Sequence, residues 1–178
     1  MLRILPTKFE EAKLVEMHVS GDARGYFAES YSREKYAELG VRETFVQDSI
    51  SRSHRNVVRG MHYDVRMAKL VGCVVGKIYD VIVDIREDSA TYLHWAAYEL
   101  SEENHLQIFV PRGFAHGFLA LSDAVVNFKQ NVYHDAAYER GVAWNDPALG
   151  IDWPLSGEPI LSGKDRAWPP IKDTRHAK

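Results

Sequence analysis

Cys73 is the only cysteine in the chain. A lone thiol cannot close an internal disulfide, so nothing indicates an oxidising compartment, and its apolar surroundings mark it as a small buried hydrophobe. Long apolar runs are missing as well. No stretch approaches the ~20 residues of a membrane span, and the first residues mix charge with apolar side chains instead of forming a signal-like core. Positive charge is not in excess either: 22 Lys and Arg against 25 Asp and Glu give a net charge of −3. The signs are interspersed, which excludes the concentrated basic face of a nucleic-acid binder, although a few arginines suffice for a mononucleotide. There is no internal repeat and no low-complexity segment. These absences lead to the expectation of a soluble, cytoplasmic protein with neither a nucleic-acid nor a membrane partner. Its 178 residues fit one domain with a substantial core, and are too few for two ordinary ones.

The chain is instead rich in short apolar segments broken by polar or glycine-bearing turns. Residues 2–18 alternate in short pieces, and Gly21-Asp22-Ala23-Arg24-Gly25 supplies turn chemistry between two strands. Residues 32–40 differ: charged residues precede Tyr36-Ala37-Glu38-Leu39 and Gly40 closes the segment, the pattern of a short helix with a glycine stop. Strands are then predicted at 45–50, 57–62, 69–75, 77–85, 95–100, 107–110, 117–121 and 125–133. Such spacing indicates an antiparallel sandwich or barrel rather than alternating βαβ units. Gly72 and Gly76 interrupt their strands, as bulges or close backbone approaches do. After Tyr133 the texture turns to Pro, Asp, Gly and Trp, read as irregular segments over the β core, and residues 172–178 read as a solvated tail.

Three charged or titratable groups stand where buried strand is expected. Arg59 and His62 lie in Val57-Val58-Arg59-Gly60-Met61-His62-Tyr63, and Lys69 opens Lys69-Leu70-Val71. Removing such groups from water costs several kcal/mol each unless a partner or an anionic ligand compensates. The run therefore reads as the wall of a pocket.

The motifs together resemble one family. In order they are Asp22-x-Arg24-Gly25-x-Phe27-x-Glu29, Phe45-x-Gln47-Asp48, Val58-Arg59-Gly60-x-His62-Tyr63, Ala68-Lys69-Leu70-Val71, Asp80-x-x-Val83-Asp84-Ile85-Arg86, Pro111-x-Gly113-Phe114-Ala115-His116-Gly117-Phe118, Trp144-x-Asp146-Pro147-x-Leu149-Gly150-Ile151-x-Trp153-Pro154 and Leu161-Ser162-x-Lys164-Asp165. This colinear set resembles the nucleotide-sugar 3,5-epimerases typified by dTDP-4-dehydrorhamnose 3,5-epimerase. The resemblance implies an all-β cupin jelly roll (double-stranded β-helix) with a few short helices, and a homodimer with an N-terminal strand exchanged between subunits. It implies proton-transfer chemistry on a nucleoside-diphosphate 4-keto sugar, with no metal and no organic cofactor. The ketone acidifies C3 and C5; a base removes a proton, the enolate is held by positive charge, and reprotonation from the other face inverts the centre.

By the same resemblance His62 is the base and Asp165 its partner, fixing the imidazole tautomer. Lys69 stabilises the enolate. Arg24, Gln47 and Arg59 bind diphosphate or sugar, Phe27 and Glu29 line the nucleotide end, and His116 lies near the sugar or caps the β core. Tyr133 and His134 match aromatic residues that stack on the base, one ring being replaced by imidazole. Asp84 and Arg86 read as a structural ion pair, and Trp144, Asp146 and Trp153 as architectural.

Two departures bear on the reaction. The family's opposite-face acid is a tyrosine, and Phe128 occupies its position, so water or a tyrosine such as Tyr63 or Tyr133 has to complete the transfer, or only one carbon is inverted. The turn between His62 and Lys69 is also shorter than in the rhamnose-pathway enzymes, as in epimerases of GDP-linked keto sugars. A nucleotide-sugar ketoisomerase and a binding cupin with little or no catalysis are the alternatives. A metal-dependent oxygenase is disfavoured because its first motif requires a His-x-His pair, which the chain lacks.

Overall fold

Alternation of inward and outward side chains organises residues 47–130. In the computed structural model, which describes residues 1–174, the elements are β1 (Arg3–Leu5), β2 (Lys13–Glu16), β3 (Val19–Asp22), β4 (Gly25–Ala28), α1 (Arg33–Glu38), β5 (Gln47–Ser53), β6 (Val58–Tyr63), β7 (Lys69–Val75), β8 (Lys77–Asp84), β9 (Trp95–Ser101), β10 (Leu106–Val110), β11 (Phe114–Ala120), β12 (Ala124–Gln130), β13 (Arg140–Gly141) and α2 (Gly163–Ala167). A six-stranded sheet runs β1-β2-β10-β7-β12-β5 and a five-stranded sheet β13-β6-β11-β8-β9. The pairings within both sheets are antiparallel. This is the expected jelly roll.

The side chains that meet between the sheets come from one parity of each strand. Val71 and Cys73, Ile78 and Ile82, Phe114 and Phe118, and Val126 form the inner core. Each such buried side chain contributes roughly 1.5–3 kcal/mol. The opposite parity faces outward and is covered. Val81, Val83, Ala115 and Leu119 lie under Val142, Leu149, Trp153 and Ile171 from the C-terminal segments. Val15, Leu70 and Phe109 lie under Tyr36 and Val41. Helix α1 ends as its glycine predicts: Gly40 has φ +90° and its N–H bonds to the Ala37 carbonyl.

Local differences from the sequence reading have simple causes. Gly72 stays in register with Gln107 and Asn127, whose side chains lie across it; the irregularity in this ladder falls between Val125 and Val126 instead. Gly76, at φ +71°, makes the turn from β7 to β8. Strand β12 stops at Gln130, three residues before the predicted end. Residues 171–173 form a 3₁₀ turn with Ile171 buried, so only part of the expected tail extends from the core; residues 175–178 lie outside the described residues. Asp84 is bidentate to Arg86, and Asp146 accepts the Ile171 N–H, both in structural roles. No helix among the described residues is long and apolar enough to cross a membrane.

Candidate active site

Strand β6 presents His62 between two neighbours. On one side His62 is the cross-strand partner of His116 in β11, and on the other of Gly141 in β13. The register with β11 slips between His116 and Phe118, where Gly60 crosses Gly117. A Cβ on Gly60 would sit 2.6 Å from the Gly117 Cα, so the close approach requires glycine. Gly141 is similarly closed by the Trp168 ring, which a Cβ at this position would meet at 2.4 Å, and the same ring packs edge-on to His62.

Behind His62 stands the α2 segment. Asp165 Oδ1 lies 2.5 Å from His62 Nε2, and Asp165 Oδ2 accepts a bond from the Ser162 hydroxyl at 2.7 Å. Burial pushes the Asp165 carboxyl up, but the bonds from His62 and Ser162 outweigh it and hold the carboxyl below the usual carboxylate range. An ionised Asp165 accepts the Nε2–H, which leaves the Nδ1 lone pair for a substrate proton. Asp165 is thus a positioning residue. Asp165→Asn is expected to lower kcat about 10²- to 10⁴-fold with little change in KM, because the imidazole tautomer and the stabilisation of the imidazolium are lost; steady-state kinetics would show it.

His62 opens on a cavity of about 280 Å³ between the sheets, lined also by Gln47, Ser49, Lys69, Phe128, Gln130 and His134. Residues 47, 49, 69, 128 and 130 are inward-facing positions of β5, β7 and β12, so the six-stranded sheet forms the wall opposite His62. Burial lowers the Lys69 pKa below the usual lysine range, while Asp80, Glu139 and Asp64 pull the other way from a distance. At the mouth, Glu139 accepts from Lys164 at 2.5 Å and lies 3.6 Å from His134. Burial raises the Glu139 carboxyl, but the bond from Lys164 and the charge of that ammonium bring it below its ordinary value.

The structure brings together seven of the residues singled out in the sequence: His62, Tyr63, Lys69, Asp165, Gln47, Phe128 and His134. Others lie elsewhere. Arg59 reaches Ser53 and the Arg52 carbonyl. His116 is buried behind the cavity, its Nε2 2.8 Å from Asp80 Oδ2. Tyr133 follows the end of β12 and is 71% exposed. Arg24, Phe27 and Glu29 belong to the β3–β4 hairpin and the chain after it: Arg24 pairs with Asp22, Glu29 with Lys35, and Phe27 is 75% exposed. Phe27 and Glu29 line a separate hollow with Leu2, His18 and Leu39. Sequence reasoning missed Ser49, Gln130 and Glu139. The first two had a signal, because they share strand parity with Gln47 and Phe128; Glu139 lies in an irregular segment with none.

Comparison with known proteins decides the relationship. The family described as dTDP-4-dehydrorhamnose 3,5-epimerase matches residues 6–173. The chain belongs to this epimerase family. The dTDP-4-dehydrorhamnose 3,5-epimerase of Pseudomonas aeruginosa is 47% identical over 157 residues, 86% of this chain and 87% of that protein. The crystal structure of dTDP-6-deoxy-D-glucose-3,5-epimerase RmlC from Legionella pneumophila, in complex with dTDP-4-keto-L-rhamnose, superposes with a TM-score of 0.95 at 40% identity, covering 98% of this chain and 95% of that one. ChmJ, a 3'-monoepimerase from Streptomyces bikiniensis solved with dTDP-quinovose, gives a TM-score of 0.88 at 31% identity, with coverage of 94% and 87%. Membership in a carbohydrate epimerase family accords with a cavity built for proton transfer. Among the described residues, no cluster of three or more His, Cys, Asp or Glu side chains is arranged to hold a metal ion.

Proposed function

We propose that this chain epimerises a nucleoside-diphosphate 4-keto sugar through an enolate, with a dTDP sugar as the substrate its relatives' names favour. The observation that carries the reading is the arrangement across the cavity: an imidazole oriented by a buried carboxylate on one wall, and an ammonium on the other. His62 Nδ1 takes the proton from the carbon beside the ketone, and Lys69 holds the negative charge that moves onto the carbonyl oxygen. No cofactor is needed for this chemistry. The test is NMR of the protein in D₂O with dTDP- and GDP-linked 4-keto-6-deoxy sugars, following the C3 and C5 proton signals. Loss of neither signal with either nucleotide defeats the proposal. Phe128 favours inversion at a single carbon, read in the same experiment as exchange at one position.

The proposed enzyme works as a homodimer. A cavity of about 280 Å³ accepts a sugar ring but not an attached nucleoside diphosphate. The hairpin with Arg24 and Phe27 carries the groups suited to the nucleotide, yet it stands away from its own chain's cavity. A second protomer supplying that hairpin completes the site. Mixing Arg24→Ala with His62→Ala protomers is then expected to restore about a quarter of wild-type activity, since half the dimers are mixed and each mixed dimer holds one intact site. If the mixture stays as inactive as its components, the hairpin does not act across subunits. A cytoplasmic location follows from the substrate class, nucleotide sugars being made there.

A further inference from the structure

Inversion needs a second proton, delivered to the sugar face turned away from His62. That face meets the inner surface of the six-stranded sheet, where Phe128 has no proton to give. Lys69, on the same wall, is needed as a cation at the enolate oxygen, and passing its proton to carbon would discharge it. The amides of Gln47 and Gln130 are not acids. Ser49 remains. It is the direct cross-strand partner of Phe128 and lines the cavity beside it.

The bonding of Ser49 is specific. Its hydroxyl lies 3.4 Å from Gln130 Oε1, to which it donates, and it accepts from Gln47 Nε2 at 3.2 Å. Gln47 Nε2 also donates to Gln130 Oε1 at 3.1 Å, and Gln47 Oε1 accepts the His134 N–H at 3.0 Å. The two amides are thereby fixed in orientation. A serine hydroxyl has one donor and two acceptor lone pairs. With the donor and one lone pair committed, the other lone pair is left to accept a hydrogen from solvent.

Building on the epimerase reading, we propose that Ser49 holds a solvent water beside Phe128, and that this water supplies the proton a tyrosine hydroxyl supplies elsewhere in the family. The water O–H breaks as the new C–H forms, the enolate electron pair takes the proton, and the ketone is restored. The resulting hydroxide is neutralised by the proton His62 had taken, passed through solvent at the cavity mouth, so water and the neutral imidazole are both regenerated. Ser49 is a positioning residue in this scheme, acting through the water it binds.

The test is a partition ratio. In D₂O, His62 returns deuterium to the original face and yields labelled substrate, whereas the Ser49 water yields labelled, inverted product. Ser49→Ala is expected to shift the ratio of labelled substrate to inverted product about 10- to 100-fold toward substrate, as for other losses of positioning. Ser49→Thr, which keeps the hydroxyl, stays within about threefold of wild type. Phe128→Tyr restores a protein donor, so in that background Ser49→Ala loses its effect on the ratio. A wild-type ratio in Ser49→Ala overturns the proposal. A shift produced instead by His134→Asn also overturns it, because the donor would then be the imidazole beside Gln47. Absence of all exchange in the wild-type protein is a separate result, striking the epimerase reading itself and the proposal with it.

Discussion

His62→Ala is expected to lower deuterium exchange into the 4-keto sugar by about 10³- to 10⁴-fold, the upper part of the range for loss of a general base. The other candidate bases are engaged elsewhere: at the cavity mouth Glu139 pairs with Lys164 and lies against His134. His116 is its cross-strand partner, but that ring is buried, bonded to Asp80, and does not line the cavity. Asp165 lies behind the imidazole and does not line the cavity either. The same substitution leaves the Asp165 carboxylate without its nitrogen partner, at a cost of about 1–3 kcal/mol in stability. The pH dependence separates this cost from the catalytic one. In the wild-type protein the folded-state pKa of Asp165 is depressed, so its contribution to stability is present above the usual carboxylate range and is lost as pH falls through the folded value. His62→Ala removes much of that depression, and urea melts at neutral and acid pH should therefore show a shallower acid loss for the variant. Full exchange by His62→Ala would mean that the base is another residue.

The inner wall of the cavity was legible because strand parity survives from sequence to structure. Alternation puts Gln47 and Ser49 on one face of β5 and Phe128 and Gln130 on one face of β12, and the register of the two strands, visible only in the structure, sets Ser49 beside Phe128 and Gln47 beside Gln130. Parity fails beyond a strand's end, and so alternation specifies no face for Tyr133, three residues past the end of β12 at Gln130. β13, only two residues long, has no alternation to detect; it pairs beside His62 where Gly141 lies close against the Trp168 ring and Val142 exchanges backbone bonds with Met61. The His62–Asp165 pairing spans 103 residues and was reached through the family motif, since no local pattern encodes it. The β3–β4 hairpin shows the converse: turn chemistry in residues 21–25 specified it, but where it docks depends on surfaces that a single strand pair does not determine.

Lys69→Met is expected to change activity and stability in opposite directions. The rate falls about 10²- to 10³-fold, the usual loss when a group stabilising a developing oxyanion is removed. Stability rises by about 1 kcal/mol, which for a chain of this length is a Tm increase of about 2–4 °C by calorimetry. The reason is that Lys69 faces the cavity from β7 with no ion pair to any described carboxylate, so the folded state bears a desolvated charge that methionine, of similar length, replaces with apolar contact. The sign of the pH effect follows. Because burial lowers the folded-state pKa, the folded protein releases this proton while the unfolded chain still holds it, so stability rises with pH through that interval. The rate runs the other way, falling as the ammonium is lost below the usual lysine range. Lys69→Met abolishes both trends. A variant that loses activity and stability together would show that Lys69 is held by the fold, and that its charge is not the strained feature the chemistry draws upon.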